Sequence, residues 1–142
     1  MKTSLRNRHR NLRPALASLR PLLRRWEKLL PIQLSRLSVI FLDDVEMADL
    51  HGRLMADPTP TDILTLDYGR GLAEIFISLD TARRQAIENG NSFAGELRLY
   101  LAHGLLHLCG YGDKTPSQRK QMRGAEQKLL RHEKITVPSC RS

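Results

Sequence analysis

Cysteine is almost missing from this chain, with only Cys109 and Cys140 among 142 residues. Two cysteines build no disulfide framework, which excludes a small stapled fold and suits a reducing, cytoplasmic setting. Long apolar runs are missing as well. Those present, such as Leu37 to Leu42, are short and soon interrupted by charge, so no membrane-spanning helix is expected, nor the apolar core of a signal peptide. Internal repeats and low-complexity linkers are also absent. With 41% hydrophobic residues, the chain suits one modest core and one domain over residues 1–142, with residues 1–14 expected as a basic, flexible tail.

Acidic residues are lacking where basic ones crowd. No acid precedes Glu27, whereas Lys2, Arg6, Arg8, Arg10, Arg13, Arg20, Arg24 and Arg25 do. A second basic run comprises Lys114, Arg119, Lys120, Arg123, Lys128, Arg131 and Lys134. The net charge of +8 favours a polyanion partner. A solvated surface that only keeps the protein soluble is the plainer reading of either run. An organelle transit peptide is the weaker reading of the first, because Trp26 and its neighbouring leucines indicate a folded helix.

The hydrophobic pattern predicts alternating elements. Leucines at helical spacing mark a helix from Ala15 to Leu30, broken by or starting near Pro21. Leu34 to Leu42 reads as a strand, and Asp43 or Asp44 caps a helix running to about Met55. Asp57-Pro-Thr-Pro-Thr-Asp62 is a rigid connector. Ile63 to Tyr68 and Leu72 to Leu79 read as strands of a hairpin turning at Gly69-Arg70-Gly71. Asp80 or Thr81 caps a helix that ends near Asn89-Gly90, Ser92 starts the next, and Pro116 opens a last basic helix from Thr115 to Lys134. The order implies an α+β domain with about five helices, the one starting at Ser92 being central.

That helix carries His103-Gly-Leu-Leu-His107-Leu-Cys-Gly110-Tyr-Gly-Asp113. Residues four apart on a helix lie about 40° apart around its axis, so both imidazoles leave one face. Gly110 and Gly112 can end the helix and fold the chain back, presenting Asp113 as a third ligand and leaving a fourth tetrahedral position open. Histidines four apart also occur on ordinary exposed helix faces. Here Leu105, Leu106 and Leu108 surround them, and a buried imidazole needs a partner. Zinc peptidases place a glutamate after the first histidine as general base. This chain has Gly104 there, which argues against a peptidase. Cys109 reads as a small buried residue pointing away from the pair.

These residues resemble the signature of the YbeY family of metal-dependent endoribonucleases. A second block agrees: Asp57-Pro-Thr-Pro-Thr-Asp-Ile-Leu-Thr-Leu66 resembles the family's Pro-Thr-Asp-Val-Leu-Ser-Phe strand, and Ala73-Glu-Ile-Phe-Ile-Ser78 its Gly-Asp-Ile-x-Ile-Ser strand. The likeness runs from about Ser35 to Leu130. It implies a mixed four-stranded sheet packed with helices, one zinc ion per chain in a cleft, and cleavage of single-stranded RNA in maturation of the 16S ribosomal RNA 3′ end. Its implied partners are ribosomal RNA and the small ribosomal subunit. Two positions depart from the family pattern. Asp113 stands where the commonest signature has a third histidine, which lowers the site's charge by one and widens the choice of metal. Met55 stands where many members carry an RNA-contacting arginine.

The expected site is then His103, His107 and Asp113 around the metal, with Arg119, Lys120 and Arg123 on the RNA backbone. His51 and Asp62 are the candidates for proton transfer near the cleft, His51 being equally readable as a surface helix histidine. The alternative function is a non-catalytic ribosomal-RNA-binding assembly factor whose metal is structural.

Overall fold

The computed structural model describes residues 1–55 and 61–138, the side chain of Met55 excepted. Met55's role, most of the Asp57–Asp62 connector and Cys140 therefore lie outside the described residues. The elements follow in the order β1 (Lys2–Asn7), α1 (Leu16–Glu27), β2 (Arg36–Leu42), α2 (Asp44–Met55), β3 (Ile63–Gly69), β4 (Leu72–Ser78), α3 (Leu79–Asn89), α4 (Phe93–Leu108) and α5 (Pro116–Leu130). One sheet has the order β1-β2-β4-β3. β1, β2 and β4 run parallel, while β3 pairs antiparallel with β4 as the expected hairpin. Gly69 and Gly71 both have positive φ at its turn, and the 4-stranded mixed sheet agrees with the resemblance.

Period-two alternation divides the sheet into two faces. Leu37, Val39 and Phe41 of β2 and Ala73, Ile75 and Ile77 of β4 form one face, fully buried under α1 and α4 with Leu23, Trp26, Leu97, Leu101 and Leu105. The other face is only half covered. Met47 of α2 closes over Leu42 and Leu64, flanked by Ile40, Leu50 and Phe76. Away from that cluster lie Lys2, Ser4, Arg6, Arg36 and Ser38, exposed or half-buried.

The amino terminus is not a flexible tail. Lys2 to Asn7 form β1, because Thr3, Leu5 and Asn7 turn toward the packed face while Lys2, Ser4 and Arg6 turn outward. Residues beyond the strand are also tied down. His9 Nδ1 accepts hydrogen bonds from the backbone N–H groups of Asn11 and Leu12 (3.1 and 3.0 Å), so Nε2 carries the proton donated to Asp80 at 2.8 Å. Pro21 neither breaks nor starts a helix but lies inside α1. Ala17, whose carbonyl loses its helical donor there, is exposed to water. α3 begins earlier than expected: Ser78 caps it, its Oγ accepting from the N–H of Thr81 at 3.3 Å.

Asp44 holds this corner together. Its Oδ1 accepts the hydroxyls of Ser78 (2.6 Å) and Thr81 (2.8 Å), and its Oδ2 pairs with Arg84 at 2.8 Å. Burial raises the carboxyl's pKa, but the Ser78, Thr81 and Arg84 contacts outweigh burial and hold it below 3.8. A depressed folded value stabilises the protein in full above the unfolded value and is lost as pH falls through the folded one. Asp44→Asn should therefore cost about 1–2 kcal/mol at neutral pH, with the difference from wild type closing below about pH 4. Urea midpoints of metal-free protein measured across that range would check it.

Candidate metal centre

α4 is positioned before its histidines are reached. Ser92 caps it, Oγ accepting from Gly95 N–H at 3.0 Å, and Leu97, Leu101 and Leu105 seat it in the core. Gly104 sets how closely it lies. A Cβ there would meet the tips of Ile63 and Ile75 at 3.0 Å and Thr65 Oγ1 at 3.2 Å, so the helix backbone rests on β3 and β4. Position 104 thus faces β3 and β4, and a glutamate there would have to displace the ends of Ile63 and Ile75. His103 and His107 emerge beside it, on the flank along β3.

The chain then reverses. Gly110, at φ +101°, donates its N–H to His107 O at 3.0 Å, and Tyr111 N–H donates to Leu106 O at 3.0 Å. The Tyr111 ring is buried and its hydroxyl is bonded to Thr136 O at 2.7 Å. Asp113 returns over the helix end as a result. Its Oδ2 lies 3.5 Å from His103 Nε2 and 3.3 Å from His107 Nε2, and those two nitrogens are 2.9 Å apart. Ligand atoms about 2.0–2.2 Å from a tetrahedral ion stand about 3.3 Å from one another, so this donor set fits a metal without rearrangement. The expected triad is the group the structure brings together.

A fourth residue was missed in the sequence. Glu126 of α5, nearly buried, places Oε2 2.6 Å from His103 Nδ1. Accepting the Nδ1 proton leaves the Nε2 lone pair of neutral His103 directed at the metal position. Burial disfavours the imidazolium, yet the bond and charge of Glu126, with Asp113 and Asp62, outweigh burial and raise the His103 pKa. α5 is held by the capping box of Thr115 and Gln118 behind Pro116. The Gln118 carbonyl also accepts Lys114 N–H at 3.0 Å and Thr115 N–H at 3.3 Å, fastening the loop that presents Asp113. No spacing rule links residues 23 apart. The one available signal was a carboxylate on the same α5 face as buried Met122 and Leu129.

The triad divides two depressions. One, of about 350 Å³, is walled by Thr61, Asp62, Thr65 and Asp67 along β3. The other, of about 320 Å³, is walled by Arg119, Met122, Arg123 and Glu126. Asp62 therefore lies in the cleft as expected. His51 lies on α2 and is not among the described residues lining either depression. Of the expected RNA contacts, Arg119 and Arg123 face the second depression and Lys120 does not. Arg119 also donates to the carbonyls of Asp113 (3.3 Å) and Lys114 (3.1 Å). Cys109 is buried, its thiol pKa pushed up to about 12 by that burial.

Two substitutions probe this construction. Glu126→Gln should weaken metal binding about 10–100-fold, read by competition with a chromophoric chelator, while the metal-free protein melts within a few degrees of wild type. Gly104→Glu should destabilise the fold by about 3 kcal/mol or more, since it forces a carboxylate between Ile63 and Ile75; a urea titration reads this directly.

Comparison with known proteins agrees with this geometry. The family model described as Endoribonuclease YbeY matches residues 8–134. Endoribonuclease YbeY of Bacteroides thetaiotaomicron is 38% identical over 101 residues, covering 69% of this chain and 74% of that one. The Chlamydia abortus protein of the same name is 40% identical over 103 residues, covering 65% of each. In structure, the chain is similar to TM1509 from Thermotoga maritima, with TM-score 0.66 at 24% identity, covering 92% of this chain and 87% of that one. The fold, the His-His-Asp cleft and these matches together place the chain in the Endoribonuclease YbeY family.

Proposed function

We propose that this protein is a metal-dependent endoribonuclease that cuts single-stranded ribosomal RNA during maturation of the small ribosomal subunit, with one zinc ion per chain held by His103, His107 and Asp113. The observation that carries this reading is the triad's position in an open cleft between an acidic strand edge and a basic helix. A purely structural metal favours a closed, four-ligand site. Here three side chains converge where 23%, 29% and 46% of their surfaces remain exposed to solvent, which leaves room for substrate and weighs against a non-catalytic role.

A bound zinc ion supplies Lewis acidity to a phosphoryl oxygen and acidifies water near neutral pH. The chain's own groups do the rest. Glu126 keeps the His103 tautomer and ring orientation fixed. Arg119 and Arg123 attract the phosphodiester backbone to one side of the triad, giving salt-sensitive binding with little sequence choice. On the other side Asp62, which accepts from the Thr61 hydroxyl at 3.4 Å, is the carboxylate we assign to take the proton of the attacking water. Asp113 in place of a third histidine makes the donor set anionic, which widens the choice to other divalent transition metals alongside zinc. No described helix is long and apolar enough to cross a membrane, and a cytoplasmic site of action fits the substrate.

Labelled single-stranded RNA incubated with zinc-loaded protein should be cut, and neither chelator-treated protein nor His107→Ala should cut it. Asp62→Asn should keep one zinc per chain by mass spectrometry while kcat falls about 10²–10⁴-fold. Intact RNA with fully loaded wild-type protein would sink the assignment.

A further inference from the structure

The half of the sheet that α2 leaves uncovered has a consistent chemistry. Strand register sets Lys2 beside Arg36 and Ser4 beside Ser38, which in turn lies beside Glu74; Arg6 follows in the next row. All belong to the face turned away from α1 and α4. Lys2, Arg6 and Arg36 are exposed and form no ion pair among the described residues. Glu74, the acid in these rows, is occupied by the hydroxyl of Tyr68. That bond holds a ring that is 58% exposed beside the face. From β1 to β3 the face is about 14 Å across, at three strand spacings of about 4.8 Å, with Leu72 between Arg36 and the end of β3 and Ser4 and Ser38 in the next row.

We propose that this open face is a second RNA-binding surface, which takes the single-stranded segment flanking the cut: Lys2, Arg6 and Arg36 hold its phosphates and Tyr68 stacks on an unpaired base. The inference rests on RNA being the substrate. Charge gives the partner's sign, since Lys2, Arg6 and Arg36 outnumber Glu74, the one acid in these rows, and an excess of cations calls for a polyanion. The ring gives its strandedness, because a base can stack on a side chain only when it is free of a duplex partner. Lysine and serine are depleted at protein interfaces, which counts against a protein here. Continuity places the two sites on one strand of RNA. Asp67 walls the metal cleft and Tyr68 follows it in the chain, so the end of β3 is a corner shared by cleft and face.

Binding is measured by fluorescence anisotropy in chelator, where no cleavage occurs, with a 12-nucleotide uridine RNA and an RNA duplex of equal length. The variants are Lys2→Gln with Arg36→Gln, Tyr68→Ala, Tyr68→Phe, and Arg83→Gln as a control at an exposed arginine of α3. The double variant should reduce the slope of log Kd against log salt by about 1.4, at about 0.7 per phosphate contact for single strands. Tyr68→Ala should weaken single-strand binding about fivefold or more and leave the duplex unchanged, while Tyr68→Phe, which keeps the ring but loses the bond to Glu74, should bind between the two. An unchanged slope in the double variant overturns the proposal, as does an equal loss in Arg83→Gln or an equal loss for duplex. RNA cut normally with unchanged slopes removes this surface and keeps the endoribonuclease. Binding that responds as expected in a protein that never cuts does the reverse.

Discussion

The close approach of α4 to β3 and β4 at Gly104 is the constraint on which the rest of the molecule depends. With no side chain at that position, the helix backbone settles against Ile63, Ile75 and Thr65. Leu97, Leu101 and Leu105 then fill the core, and the helix cannot rotate without exposing them. Once that orientation is fixed, residues 103 and 107 can only emerge along β3, and the sheet's edge strand becomes one wall of the cleft. The carbon missing at position 104, next to His103 itself, thus decides where the imidazoles stand.

Around them the charges are sorted. Asp62 and Asp67 line one depression, while Arg119 and Arg123 line the other, with His103 and Asp113 common to both. With neutral imidazoles, Asp113 and Glu126 together would balance a divalent cation, so a filled centre would carry no net charge. The α5 arginines then draw anionic substrate to their side of the triad.

Legibility in the sequence tracked the range of the interaction concerned. Local chemistry was plain: the Gly69-Arg70-Gly71 turn, the helix starts marked by Ser92 and Pro116 and the spacing of His103 and His107 are each settled within a few residues. Asp113 was legible because glycines beside it announced a reversal. What escaped was decided at long range. Glu126 meets His103 only after α5 folds back, and β1 is a strand only because β2 offers it a partner 34 residues on. A run such as Lys-Thr-Ser-Leu-Arg-Asn has too little apolar content to declare itself, so charge dominated its reading. α3 began at Leu79 rather than after Asp80 because Ser78 is held by Asp44, itself remote in sequence.

Cys109 lies two residues past His107, close enough for a small shift of the chain to have made it a ligand. Burial instead keeps its sulfur protonated far above neutral pH. Thiolate is the form that both binds metals and reacts with peroxides. A centre of two nitrogens and one oxygen, with its neighbouring sulfur silenced, has no donor that an oxidant can convert to sulfenate. An oxidant that attacks cysteine-held zinc would find no sulfur among the ligands of such a centre.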